Sequence, residues 1–229
     1  MSRVLPILFN TEMVRAILDG RKTVTRRVMK KTQCNGLYKI EPDDWDKGSL
    51  NEPWCNMPDS EFIKCTYNPP YQPGDILYVR ETWCWEPCWD CGMDTEEHNC
   101  CDESANKFFN HDKGEWGCYV YKASLEDNVY PSVGTWHPSI HMPKEAARIW
   151  LKVTDVRVER LQDITEAGIL AEGVDNGKSK RWENMQRIAF ENLWNSTIKK
   201  SDLDRYGWDA NPWVWVIEFE RCEKPKDWR

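Results

Sequence analysis

Ile17-Leu18-Asp19-Gly20-Arg21-Lys22-Thr23-Val24-Thr25-Arg26-Arg27 is the stretch on which the reading of this chain turns. Apolar residues at Met13, Val14, Ile17 and Leu18 carry a short helical period that breaks at Gly20, and β-branched residues then alternate with polar ones. The pattern predicts a helix that hands over directly to a strand, with Lys22, Thr23 and Thr25 at the strand entrance. Alternation puts Thr23 and Thr25 on one face and Lys22 with Val24 on the other, unless Lys22 still belongs to the turn. A lysine and a hydroxyl that converge there suit anion binding or attack on a carbonyl.

The chain has 229 residues and no internal repeat, which predicts one decorated domain over 1–229 with insertions at 29–73 and 84–118. Fourteen tryptophans among 40% apolar residues can build a core, whereas 30% charged residues and thirteen prolines require much exposed, irregular surface. No apolar run reaches the roughly 18 residues of a membrane span, and Met1-Ser2-Arg3-Val4-Leu5-Pro6 lacks the apolar stretch of a signal peptide. The expectation is a soluble, cytoplasmic protein without a membrane partner. In that compartment ten cysteines read as thiols or metal ligands before disulfides.

A net charge of −7 argues against coating long nucleic acid, because such binding rests on counterion release by many Lys and Arg contacts. The charge is unevenly placed, however. Arg15, Arg21, Lys22, Arg26, Arg27, Lys30 and Lys31 face Asp19 alone over that span, enough for a local phosphate site. Between Asp90 and Glu103 the balance reverses, with carboxylates and no Lys or Arg.

Taken in order, Leu5 to Phe9 is an apolar run that Pro6 confines to an edge or a strand start, and Asn10 or Thr11 caps the first helix. Residues 29–73 hold no sustained period and read as a long loop. Pro73-Gly74-Asp75 is a turn leading into a strand with Leu77, Val79 and Glu81 on one face. Tyr119 to Ala123 resumes the sheet, 136–143 is extended between prolines, and Ala146 to Leu161 is the longest strand pattern. Thr165 opens a short helix that Gly173 ends. A second helix, Arg181 to Asn195, presents Met185, Ile188, Ala189 and Leu193 as its apolar face, with Trp194 beside them. Trp213 to Glu220 is a final strand, aromatic enough to be central. Five or six strands with two or three short helices predict an α+β fold, a small mixed β-barrel flanked by helices.

The Cys-rich insertion holds Cys84, Cys88, Cys91, His98, Cys100, Cys101 and Cys118. Cys88-x2-Cys91 has the spacing of a zinc knuckle, and Cys84 with Cys100 completes one four-ligand set for a structural zinc; Cys101 or His98 are alternative members. A polar loop with little core gains order from a metal. The competing reading is a loop of free thiols beside Trp83, Trp85 and Trp89. Cys34, Cys55, Cys65 and Cys222 are isolated.

Gly20-Arg21-Lys22-Thr23-Val24-Thr25, then Pro73-Gly74-Asp75-Ile76-Leu77-Tyr78-Val79, then Ile164-Thr165-Glu166 with Ala171-Glu172-Gly173, then Trp213-Val214-Trp215-Val216-Ile217-Glu218-Phe219, in that order, resemble the ASCH (activating signal cointegrator homology) family. The run from Pro138 to Ile149, followed by the run from Val153 to Ile164, is similar to the longer ASCH proteins of phages and prophages. The resemblance leaves 29–73 and 84–118 largely unaccounted for. It implies a PUA-like barrel with a cleft beside the lysine strand, and a nucleoside, nucleotide or RNA as partner. Small ASCH amidohydrolases that deacylate N4-acylated cytidine use a Lys, a Thr three residues on and a Glu in the later helix. The matching positions are Lys22, Thr25 and Glu172; Arg21, Thr23, Arg26 and Arg27 beside them, with Arg80 and Glu81 from the next strand, are the substrate-binding candidates. Those enzymes are far shorter, and here Arg26 and Arg27 follow the threonine directly.

The chemistry asks for these types. A Thr hydroxyl attacks only when a base takes its proton, and a lysine is that base only when burial or neighbouring cations lower its pKa. Glu172 could shuttle the proton to the leaving amine, yet a carboxylate beside Lys22 also raises the lysine pKa and opposes the base role. Against catalysis stand a solvated Gly-Arg-Lys turn, strand threonines that merely fill a pleated face, and a His141 that is structural. Two further functional readings stay open, a non-catalytic RNA or modified-nucleotide binding module and a metal-dependent ribonuclease.

Overall fold

The computed structural model describes residues 2–29, 68–88, 107–110, 114–125, 135–174 and 183–226. In chain order the elements are β1 (Val4–Leu8), α1 (Thr11–Leu18), β2 (Val24–Val28), β3 (Ile76–Arg80), β4 (Trp83–Pro87) and β5 (Lys107–Asn110). Then follow β6 (Glu115–Tyr121), β7 (Trp150–Arg160), α2 (Glu166–Ala171), α3 (Glu183–Thr197), α4 (Leu203–Tyr206) and β8 (Trp213–Cys222). The fold is α+β; the pairings of β2 with β8, β4 with β6 and β5 with β6 are antiparallel. Among the described residues no helix is long and apolar enough to cross a membrane. Most of the 29–73 loop and much of the Cys-rich stretch lie outside the described residues.

The chain divides into two compact units, the first built from 1–3, 19–76 and 151–221 and the second from 4–18, 77–150 and 222–229. In the first, β8 lies between β7 and β2. Val214, Trp215, Val216 and Ile217 are all fully buried, so this strand is covered on both faces, as its unbroken apolar run requires. Val24, Val214 and Val216 pack with Leu161, Ile164 and Ile169 around α2 and with Phe190, Trp194 and Trp208. Thr165 caps α2 by accepting from the Gly168 N–H at 3.1 Å, and Gly173 leaves the helix with φ of +85°, a conformation that favours glycine. The turn before β3 is tied by Asp75, which accepts from the backbone of Gln72 at 2.8 Å and from the Arg3 guanidinium.

The buried face of α3 differs from the one its apolar pattern predicts. Phe190 and Trp194 point inward, while Met185 and Ile188 are 48% and 54% exposed and Ala189 is exposed too. The helix turns to bury the two aromatics, whose area exceeds that of Met and Ile; Phe190 meets Trp208 edge-on, and Trp194 Nε1 donates to the Tyr206 carbonyl at 2.8 Å.

In the second unit β1 pairs beside β3, and Asn10 caps α1 by accepting from the Met13 N–H at 2.9 Å. Residues 119–121 do not resume that sheet: β6 forms a separate three-stranded sheet in the order β4-β6-β5. Gly117 permits it, because a Cβ there would fall 2.4 Å from the Glu86 carbonyl oxygen and 2.6 Å from the Trp85 ring. The extended segment expected at 136–143 contains a 3-10 turn at Ser139–His141, and a second at Lys144–Ala146 delays β7 to Trp150.

Candidate active site

Gly20, with φ of +74°, ends the helix, and the chain then runs through an isolated bridge between Lys22 and Glu172 before β2 begins at Val24. Thr23 is fixed on both sides: its N–H donates to the Ala171 carbonyl at 2.8 Å, and its own carbonyl accepts from Phe219 at 2.9 Å. Glu172 closes α2, its N–H donating to the Gly168 carbonyl at 3.0 Å. These backbone ties bring the β2 entrance and the end of α2 together across 150 residues.

Lys22 and Glu172 are buried, 2% and 4% exposed. The Lys22 ammonium donates to Glu172 Oε2 at 2.5 Å, to the Glu172 carbonyl at 3.0 Å and to the Val24 carbonyl at 2.8 Å. Arg26 takes the other carboxylate oxygen, with Nη1 3.2 Å from Glu172 Oε1, and reaches Glu159 Oε2 at 3.2 Å through Nη2. Burial pushes the Lys22 ammonium below its usual range; the charge and hydrogen bond of Glu172 push it up, and Arg27 and Arg26 push it down again. The net direction is downward. The three hydrogens of the ammonium each find an acceptor, which is the geometry of a held charge as much as of a base.

Thr25 is 2% exposed and pairs with Ile217 of β8. The β2 pleat sets Thr25 and Arg27 on the face opposite Val24, Arg26 and Val28. Thr23 lies outside the strand and is exposed, so the alternation that would group it with Thr25 does not reach it. Arg27 is half-buried and lies near Tyr71 and Glu172: burial lowers its pKa, which Tyr71 and Glu172 oppose, while burial raises that of the Tyr71 phenol, which Arg27 opposes. Tyr71 is absent from the residues that sequence singled out; its one signal is its place in Pro69-Pro70-Tyr71, just ahead of the Pro73-Gly74 turn. Arg21 is engaged at the surface, donating to Asp19 at 2.8 Å and to the Gly173 carbonyl at 2.8 Å.

On the Arg26 face of β2 opens a polar cavity of about 430 Å³. Thr23, Val24 and Arg26 form one side, Thr154, Arg157 and Glu159 of β7 another, and Asp163, Gly168 and Glu218 complete the polar rim. Lys22, Thr25 and Glu172 do not line it. Arg157 is spent on carboxylates, donating to Glu159 at 2.5 Å, to Asp155 at 3.3 Å and to Glu218. Arg26 is buried, and among the described residues its Nε has no acceptor. A side chain on Gly168 would crowd it, since a Cβ would stand 3.2 Å from Arg26 Nη2.

Arg80 and Glu81 belong to the second unit. Arg80 donates to the carbonyls of Met142 (3.0 Å) and Ile140. Glu81 is 1% exposed and receives two hydrogen bonds from Arg148, at 2.9 and 3.0 Å; the same guanidinium lies 4.0 Å from the Tyr121 ring centre. This is a brace between Glu81, just after β3, and the segment before β7. Cys91 and Cys100 lie outside the described residues. Cys84 is buried, Cys88 is half-buried, and among the described residues no three His, Cys, Asp or Glu side chains are grouped to hold a metal. The register places Cys118 opposite Glu86, so Cys84, Glu86 and Cys118 share one face of the β4-β6-β5 sheet.

No family, curated protein or solved structure matches this chain.

Proposed function

We propose that the chain is an ASCH-type protein with a PUA-like barrel, directed at nucleosides, and that it hydrolyses the amide of N4-acylated cytidine. The observation that carries the reading is the buried Lys22–Glu172 pair at the β2 entrance, with Arg26 on the second carboxylate oxygen and the Thr25 hydroxyl on the same short strand. Burial and two guanidinium neighbours favour loss of the Lys22 proton. The neutral amine takes a proton from the Thr25 hydroxyl or from water, the oxygen bonds to the acyl carbon, and the carbon–N4 bond breaks. Lys22 returns the proton to N4 and cytidine leaves. Where water attacked, the carboxylic acid is formed at once, and where Thr25 attacked, a water deprotonated by Lys22 cleaves the Thr25 ester to give the acid and restore the hydroxyl.

A second reading has its own support. The ammonium already serves three acceptors and both partners are sealed from solvent, which suits a clamp that shapes a binding module for RNA or a modified nucleotide. Incubation with N4-acetylcytidine and, separately, with short RNA discriminates. Release of cytidine and acetate, reduced about a hundredfold or more in Lys22→Ala, supports the hydrolase. Binding without product moves the assignment to the binding module, and metal-dependent shortening of RNA moves it to a ribonuclease.

A further inference from the structure

Lys22, Thr25 and Glu172, the groups of the proposed chemistry, do not line the cavity on the Arg26 face; Arg26 alone of that cluster borders it. Its volume falls in the range of small-molecule sites, roughly 300–1,000 Å³. Its charge selects against anions: Glu159, Asp163 and Glu218 face two guanidinium groups that are already committed to carboxylates. Phosphate would meet carboxylates and no uncommitted cation. A compact amine would meet Arg157 and leave the buried Arg26 Nε as it is, without an acceptor.

The hydrogen-bonding capacity left over is specific. Asp163 and Thr154 line the cavity and make no side-chain hydrogen bond or ion pair among the described residues. Both accept, and Thr154 also donates. Arg26 Nε needs one acceptor. Together these groups ask for an uncharged ligand with an acceptor on one edge and N–H donors beside it. We infer that this cavity is a second ligand site, for a neutral ring that carries a carbonyl oxygen next to an N–H or amino group, the pattern of a pyrimidine base. Arg26 joins it to the pair behind, because the guanidinium that borders the cavity also holds Glu172 Oε1. The inference rests on the nucleoside reading only for the choice of ring, and binding here requires no catalysis.

The probes are uracil and cytosine, with inorganic phosphate and putrescine as contrasts, titrated into the full chain while backbone amide resonances are followed. The expected result is saturable shifts at Thr154, Asp163 and Gly168 with either ring and none with phosphate or putrescine. Thr154→Val and Asp163→Ala, both at exposed positions, should each weaken ring binding about tenfold without changing the thermal midpoint by more than a few degrees. Ring binding that survives both substitutions, tighter binding of phosphate or putrescine at these amides, or no shift up to the solubility limit of the rings overturns the inference. Lys22→Ala separates the two proposals: it should lower deacylation about a hundredfold or more and leave the ring-induced shifts in place, so either can fail alone.

Discussion

Glu172 is held by Lys22 at one carboxylate oxygen and by Arg26 at the other, 2.5 and 3.2 Å away, inside a region from which solvent is excluded. Two cations on one carboxylate leave a buried excess of positive charge that Glu159, at 26% side-chain exposure, balances from the cavity side. The cluster is therefore sensitive to which member is removed.

Glu172→Ala should destabilise the chain by about 3–5 kcal/mol, because it strands two cations, whereas the double change Lys22→Met with Glu172→Leu should cost considerably less. Urea unfolding of the wild type, Lys22→Met, Glu172→Leu and the double variant gives the coupling, with Glu172→Ala measured beside them. A double variant no more stable than Glu172→Ala would contradict the charge-stranding argument.

Stability should rise with pH on the alkaline side through Lys22. Its pKa in the folded chain lies below the ordinary 10.5, so between the two values the unfolded chain binds the proton that the folded chain has released. More protons on the unfolded state means a stability that increases with pH in that window. The quantity to measure is the unfolding free energy of wild type minus that of Lys22→Met, which cancels the tyrosines. A flat difference, or one falling as pH rises toward 10.5, refutes the depressed value.

Asp75 should contribute to the acid limb of the stability profile. Burial pushes its carboxyl up, but Arg3 and the backbone N–H groups of Gln72 and Arg3 outweigh that and hold it below the ordinary 3.8. Its contribution is present above 3.8 and is lost as pH falls through the folded value. Asp75→Asn should flatten the acid limb of the stability profile, and thermal melts at stepped pH report it.

The 84–118 lobe should hold one structural zinc, with Cys84, Cys88, Cys91 and Cys100 as the proposed ligand set. Protein purified without chelator should carry about one equivalent by elemental analysis, and Cys88→Ser should lose it. Folded protein with less than a tenth of an equivalent removes the proposal.

Elements whose evidence is local were legible in the sequence. The Asn10 and Thr165 caps, the turn at Gly74 and the unbroken apolar run of β8 each need only their neighbours along the chain. The sequence pattern of α3 named the wrong face because Trp208, which draws Phe190 inward, is 18 residues further on and carries no helical period. The separate sheet of β6 was hidden for a similar reason, since it depends on the close approach of Glu86 to Gly117. The meeting of Lys22 with Glu172 came from the family resemblance alone; no periodicity relates residues 150 apart. Arg157, Glu159 and Asp163 read as ordinary surface charge until β7, β8 and α2 gather them round one cavity.

Thr25 and Arg26 are consecutive, yet the pleat sends them to opposite sides of β2, one toward the side of Arg27 and the other toward the cavity. The strand therefore carries two messages interleaved letter by letter. Substitutions can edit either message independently, but a change of length between Gly20 and Thr25 shifts both at once: the loss of one residue would place a guanidinium where the hydroxyl belongs, and the gain of one would place the hydroxyl beside Glu159. Descendants of this chain can vary in spelling along β2, but not in its length.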